Sequence, residues 1–121
     1  MYTQIEIETH FEGKLKIAYL NQPETYNSLN KILLQELKNF IVKCNEDENV
    51  RCVALSGRGK AFCSGQNLKE ALSLGNVEKE RVIQKMVVDY YNPLVEEIAH
   101  CRKPVVSLVN GPAVGAGAML A

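Results

Sequence analysis

No stretch of this 121-residue chain approaches the roughly 18 consecutive apolar side chains that a membrane-spanning helix needs. A secretion signal is missing from its start as well: MYTQIEIETHFEGK is acidic where such a signal is basic, and it lacks the apolar run of about 7–15 residues. Net charge is absent, with 14 Lys plus Arg against 14 Asp plus Glu, so no overall field draws the chain to nucleic acid or to an anionic membrane. Cys44, Cys52, Cys63 and Cys101 form no C-x-x-C pair, which argues against a zinc knuckle or a redox dithiol and leaves them as small apolar side chains in a reducing compartment. Neither a G-x-G-x-x-G fingerprint nor a Walker loop occurs, and no internal repeat is visible. What is present is an ordinary globular composition, 46% hydrophobic and 23% charged, which sets the chain apart from disordered segments. The length fits one domain, and the expected setting is soluble and cytoplasmic.

The apolar pattern divides the chain into alternating elements. Residues 4–8 (QIEIE) and 14–20 (KLKIAYL) alternate apolar with polar side chains, the period of half-buried strands, and Phe11-Glu12-Gly13-Lys14 supplies a turn that would pair them antiparallel. After a polar loop from Asn21 to Asn30, the residues Leu33, Leu34, Leu37, Phe40, Ile41 and Cys44 mark one face of a helix capped by Asn30 or Ser28. Val50 to Leu55 reads as a buried strand ended by Ser56-Gly57-Arg58-Gly59-Lys60. A single helical turn is expected over Leu68 to Leu72. From Val77 onward Val82, Ile83, Met86, Val87, Tyr90, Leu94, Val95 and Ile98 keep helical spacing, with a kink expected at Pro93. Pro104 to Val109 reads as a short buried strand that Asn110-Gly111-Pro112 turns into small residues, Ala113 to Ala121. Strands separated by helices predict an α/β layered sheet.

No charged residue follows Lys103, and the apolar run to Ala121 has no polar cap. Residues 1–121 are therefore expected to be the N-terminal part of a single domain within a longer polypeptide.

Two glycine-containing segments each follow a predicted strand: Gly59 to Leu68 (GKAFCSGQNL) and Asn110 to Gly117 (NGPAVGAG). Small residues allow close backbone approach, and amides at a helix start have no partner within the helix. Two such amides aimed at one oxygen make an oxyanion hole for a carbonyl that becomes enolate-like. Taken singly, each segment reads more simply as a chain turn that lets a helix sit close to a sheet. Lys60 and Arg58 read as solvated loop charges, His10 as a hairpin residue, and His100 as a helix-end residue facing the dipole.

The two segments in this order, with the early hairpin, the Asn21–Leu29 loop containing Pro23 and Asn27, and Lys103-Pro104-Val105-Val106 before Val109-Asn110-Gly111-Pro112, resemble the crotonase (enoyl-CoA hydratase/isomerase) superfamily. The resemblance covers essentially the whole chain and implies an α/β crotonase-like (ClpP/crotonase) layered fold of ββα units, here truncated. It places the oxyanion amides on Gln66 and Ala116, and it places Glu24, Thr25, Tyr26, Ser64, Gly65, Asn67, Leu68 and Gly115 along the coenzyme A thioester. Asn67 takes the place of the family's common Asp. Within the superfamily Gly65-Gln66-Asn67-Leu68, Tyr91-Asn92-Pro93-Leu94-Val95 and Gly115-Ala116-Gly117-Ala118 look most like ring-epoxide isomerases of phenylacetate breakdown. Met119 stands where hydratases of the family carry a glutamate, and a thioether cannot take a proton from water. The resemblance thus implies an acyl-CoA isomerase, acting on a ring epoxide or a double bond, whose catalytic acid lies beyond Ala121. A hydratase-like enzyme or a non-catalytic thioester-binding fragment is the alternative. It implies no cofactor apart from the substrate's coenzyme A, no metal, no nucleic-acid or membrane partner, and a homotrimer or hexamer for the full-length form.

Overall fold

The computed structural model describes residues 2–67 and 75–121. The alternating segments form β1 (Ile5–His10) and β2 (Leu15–Leu20), antiparallel, with Ile5 opposite Leu20 and His10 opposite Leu15. Their turn uses more than its glycine: Phe11, Glu12 and Gly13 all adopt left-handed backbone, at φ 52°, 58° and 89°. Asn49 holds that turn by donating to the Glu12 carbonyl at 2.8 Å.

α1 (Lys31–Glu46) begins at Asn30, whose Oδ1 accepts the Leu33 N–H at 2.9 Å and takes up one of the donors a helix start leaves free. All six residues of its predicted apolar face are buried. The helix carries the chain back so that β3 (Cys52–Gly57) runs parallel to β2, since a parallel step needs a crossover. A second crossover contains α2 (Asn76–Met86), a π-helical turn (Val87–Tyr91) and α3 (Asn92–Ala99), and it leads to β4 (Val105–Ser107), parallel to β3. The sheet order is β1-β2-β3-β4. A short helix, α4 (Ala116–Leu120), follows the last turn.

The core is one cluster under the sheet, formed by Leu33, Leu34, Leu37 and Ile41 of α1 against Leu20, Val53, Leu55, Phe62 and Leu94. Each fully buried side chain of this size contributes about 1.5–3 kcal/mol by leaving water.

Three expectations need correction or refinement. The kink at Pro93 takes the form of a widened turn: proline has no N–H and its ring crowds the preceding turn, and just ahead of it the Asn92 N–H reaches back to the Val87 carbonyl. The segment Pro104 to Val109 is not a buried strand. Val105–Ser107 form the strand, with Pro104 and Leu108 each adding one bond to β3, and Val106, Leu108 and Val109 are 43–51% exposed. On the long helical crossover only Met86 and Leu94 are buried, while Val82, Ile83, Val87 and Val95 border a cavity. The turn expected at Leu68 to Leu72 lies outside the described residues. Among the described residues no helix is long and apolar enough to cross a membrane.

Candidate functional site

Two asparagines build the turn that follows β3. Asn27, fully buried, accepts the Gln22 N–H at 2.8 Å and donates through Nδ2 to the carbonyls of Arg58 (2.9 Å), Ala61 (2.9 Å) and Phe62 (3.2 Å). Its φ of 58° suits asparagine, one of the few residues that adopt left-handed backbone readily. From the other side Asn110 accepts the Gly57 N–H at 3.1 Å and donates to the carbonyls of Gly59 (3.2 Å) and Ala61 (3.1 Å).

The strand that leaves this turn changes its facing at one glycine. Cys63 bonds toward the second glycine segment, donating to Pro112 O (3.3 Å) and accepting from Val114 N (3.0 Å). Ser64 faces the opposite way, its N–H donating to Tyr26 O at 3.0 Å. Regular alternation would then turn residue 65 back toward Pro112. Instead the Gly65 carbonyl accepts from Leu29 N (2.7 Å) and the Asn67 N–H donates to Leu29 O (2.8 Å), so Ser64 and Gly65 face the same neighbour. The φ of +101° at Gly65 makes this bulge-like step, which a side chain would oppose. Its consequence is that Gln66 faces away from Leu29, toward the second glycine segment.

That segment is packed backbone against backbone. A Cβ on Gly111 would lie 2.1 Å from the Lys60 carbonyl oxygen, and one on Gly117 would lie 2.3 Å from that of Cys63. Gly115, at φ 56° and ψ −124°, turns the chain into α4 and places Ala116 at its first position. A Cβ on Gly65 would sit 3.8 Å from the Ala116 nitrogen. Among the described residues neither the Gln66 N–H nor the Ala116 N–H has an acceptor.

Both residues line one open cavity of about 880 Å³, walled by Val82, Ile83, Met86, Val87, Tyr91, Leu94 and Val95 of the long crossover and by Met119 and Leu120 of α4. Ala116 and Met119, three residues apart on α4, share the face that meets it. The Tyr91 hydroxyl donates to Gln66 Oε1, and burial pushes the phenol up to about 12, so it remains a protonated donor at neutral pH. Burial likewise raises the Cys63 thiol, which makes it a packing residue rather than a thiolate. No carboxylate lies among the described residues of the lining.

The residues expected along the thioester separate into two groups. Gln66, Asn67 and Ala116 line the cavity. Thr25, Tyr26 and Ser64 meet on the other side of the 63–67 strand, where Ser64 Oγ donates to the Thr25 carbonyl at 3.0 Å, and Glu24 is exposed beside them. Gly65 and Gly115 are the backbone pivots, and Leu68 lies outside the described residues. Arg58 is not a free loop charge: it pairs with Glu6 and with Glu8 (2.8 Å) and lies 3.6 Å over the Tyr19 ring. His10 contacts Glu8 at 3.1 Å, and His100 Nδ1 donates to the Glu96 carbonyl at 2.8 Å, away from the cavity. Among the described residues no group of three or more His, Cys, Asp or Glu is placed to hold a metal. Sequence reasoning did not find the Asn110 clamp or the Tyr91–Gln66 bond, because both join residues far apart in the chain.

A crotonase-like α/β architecture carrying two converging glycine segments defines a class, and comparison with known proteins agrees with it. Residues 11–121 match the family model described as Enoyl-CoA hydratase/isomerase, and the chain belongs to that family. It is similar to the 1,2-epoxyphenylacetyl-CoA isomerase of Escherichia coli (strain K12), with 37% identity over 95% of this chain and 44% of that protein. A crystal structure of an enoyl-CoA hydratase/isomerase from Mycobacterium paratuberculosis superposes with a TM-score of 0.79 and 34% identity, covering 99% of this chain and 46% of its own. That of an enoyl-CoA hydratase from Bacillus anthracis gives 0.81 and 30%, covering 98% and 44%. The chain thus spans less than half the length of these relatives.

Proposed function

We propose that residues 1–121 form the N-terminal part of a single crotonase-like domain that binds an acyl-CoA thioester and stabilises its enolate oxygen with the N–H groups of Gln66 and Ala116. The observation that carries this reading is the pair of amides, without an acceptor among the described residues, on two residues that line one largely apolar cavity. Moving a proton beside a thioester places negative charge on its carbonyl oxygen, and fixed donors in a water-poor pocket stabilise that charge without reorganising. Loss of one such donor costs about 2.7–4 kcal/mol of transition-state stabilisation where it has been measured in other enzymes. Glu24, Thr25, Tyr26 and Ser64 are assigned to the coenzyme A portion, and Gly65, Asn67, Leu68 and Gly115 are assigned to thioester binding on the family resemblance. The whole protein supplies the proton-transferring carboxylate from outside the described cavity lining, works in the cytoplasm, and assembles as a homotrimer or hexamer.

Met119 supports isomerisation of a ring epoxide or a double bond over hydration, because it puts a thioether on the cavity face of α4. A second reading, hydration, is favoured by the names of the similar proteins, most of which are called hydratases. Titration calorimetry of the purified chain with a short enoyl-CoA and with free coenzyme A tests the shared part of both readings. The thioester should bind at least about tenfold more tightly, or 1.4 kcal/mol. Equal affinities would mean that the cavity does not recognise the acyl group. Exchange of the proton alpha to the bound carbonyl by the whole protein, followed in deuterated water, separates an enzyme from a binding protein.

A further inference from the structure

The cavity wall is apolar where α2 and α4 form it, but between them it carries a bonded polar pair. The Tyr91 hydroxyl donates to Gln66 Oε1, and Gln66 Nε2 donates to the Asn67 carbonyl at 3.2 Å. Neither bond exhausts its group. A carboxamide nitrogen carries two N–H donors, and a phenol oxygen accepts as well as donates. One Gln66 N–H and the acceptor side of the Tyr91 oxygen therefore have no partner among the described residues. Burial keeps the phenol protonated and its proton is committed to Gln66, so the pair offers a donor and an acceptor next to one another. Tyr91 and Val87, the two ends of the π-helical turn, both border the cavity, and widened turns of this kind occur mainly at functional sites.

A wall that meets only hydrocarbon has no use for such a pair. Exchanging both partners for apolar side chains of the same shape is close to neutral for a fold, whereas covering open hydrogen-bonding groups with a hydrocarbon chain leaves them unsatisfied and weakens binding. We infer that the Gln66 carboxamide and the Tyr91 hydroxyl recognise an oxygen on the third carbon of the acyl group, so that this site takes an oxygenated acyl-CoA, an alcohol or an epoxide, in preference to a plain hydrocarbon acyl-CoA. The inference rests on the thioester reading above. With the carbonyl oxygen on the Gln66 and Ala116 N–H groups, the third carbon lies two bonds further along the acyl chain, within reach of the side chain of that same glutamine. An alcohol oxygen there accepts from Gln66 Nε2 and donates to the Tyr91 oxygen; an epoxide oxygen, which has no proton, takes the Gln66 N–H alone.

The test compares butyryl-CoA with each enantiomer of 3-hydroxybutyryl-CoA, by titration calorimetry and by nuclear magnetic resonance of the nitrogen-15-labelled chain, for the unaltered chain, Tyr91→Phe and Gln66→Met. In the unaltered chain one enantiomer should bind at least about fivefold more tightly than butyryl-CoA. The Gln66 side-chain NH2 resonances should move with that enantiomer and not with butyryl-CoA. In each variant the preference should shrink to within about twofold. The ratio cancels any general loss of affinity that a substitution brings, and the carboxamide resonances report the contact without any substitution. Equal affinities for all three thioesters, with the Gln66 carboxamide unmoved, overturn the inference and leave the thioester site standing. A preference that survives in both variants places the recognition on other residues and overturns it too. If none of the thioesters binds more tightly than free coenzyme A, the thioester reading fails and the inference falls with it.

Discussion

Asn27 and Asn110 donate to the same carbonyl oxygen, that of Ala61, at 2.9 and 3.1 Å. One comes from the loop ahead of α1 and the other from the turn after β4, so this oxygen is where the two loops and the end of β3 are locked together. Both asparagines also hold a backbone N–H, of Gln22 and Gly57 respectively, which fixes the orientation of each carboxamide.

Replacing Asn27 with alanine leaves the Arg58 and Phe62 carbonyls and the Gln22 N–H without their side-chain partner in a buried turn, and leaves the Ala61 carbonyl to Asn110 alone. Unsatisfied groups cost about 1–3 kcal/mol each, less where water enters, so Asn27→Ala should lower the unfolding free energy by roughly 2–4 kcal/mol in urea titration. Asn110→Ala, at a more exposed position, should cost less. The double variant should exceed the sum, because either asparagine alone still donates to the shared Ala61 oxygen and only the loss of both leaves it bare.

Gly65→Ala places a methyl 3.0 Å from the Val114 carbonyl oxygen at φ +101°. Strained backbone of this kind costs about 1–3 kcal/mol, and relief by a return to regular alternation would turn Gln66 out of the site. The expected result is a folded chain with a lower melting temperature and thioester affinity reduced at least about tenfold. Unchanged affinity would show that the bulge does not matter to the site.

Stability should fall on the alkaline side. Burial raises the Cys44 thiol from an ordinary 9.0 to about 11 and the Tyr91 phenol from 10.0 to about 12. A folded pKa above the unfolded one gives stability that is complete below the unfolded value and is lost as pH rises through the folded value. Cys44 therefore acts between about pH 9 and 11, and Tyr91 between about 10 and 12. Each group contributes a slope of at most about 1.4 kcal/mol per pH unit in its window. Urea unfolding of the chain and of Cys44→Ala at pH 8, 10 and 11 should show the loss beginning earlier in the chain that keeps the thiol.

The sequence made the parts with local causes legible. The α1 face from Leu33 to Cys44, its Asn30 cap and the β1–β2 hairpin follow from periodicity and turn chemistry within a few residues. So do the positions of both glycine segments. The exposure of β4 was not legible, because an apolar strand at a sheet edge reads like a central one. Nor was the flip at Gly65: a glycine announces freedom, whereas the direction it turns Gln66 depends on Leu29 and Pro112, which lie far away in the chain. The crossover helix shows the same limit. Val82, Ile83, Val87 and Val95 have the spacing of a core face, yet they border a cavity, and only the packing of α4 opposite them distinguishes the two.

The most direct test of the account is nuclear magnetic resonance of the nitrogen-15-labelled chain with a CoA thioester that mimics the enolate, such as a β-ketoacyl-CoA. The N–H resonances of Gln66 and Ala116 should both move downfield as they gain an anionic acceptor. Those of Leu29 and Asn67, already bonded across the neighbouring strand, should stay in place. Thioester binding that shifts other amides and leaves Gln66 and Ala116 unmoved would contradict the oxyanion site.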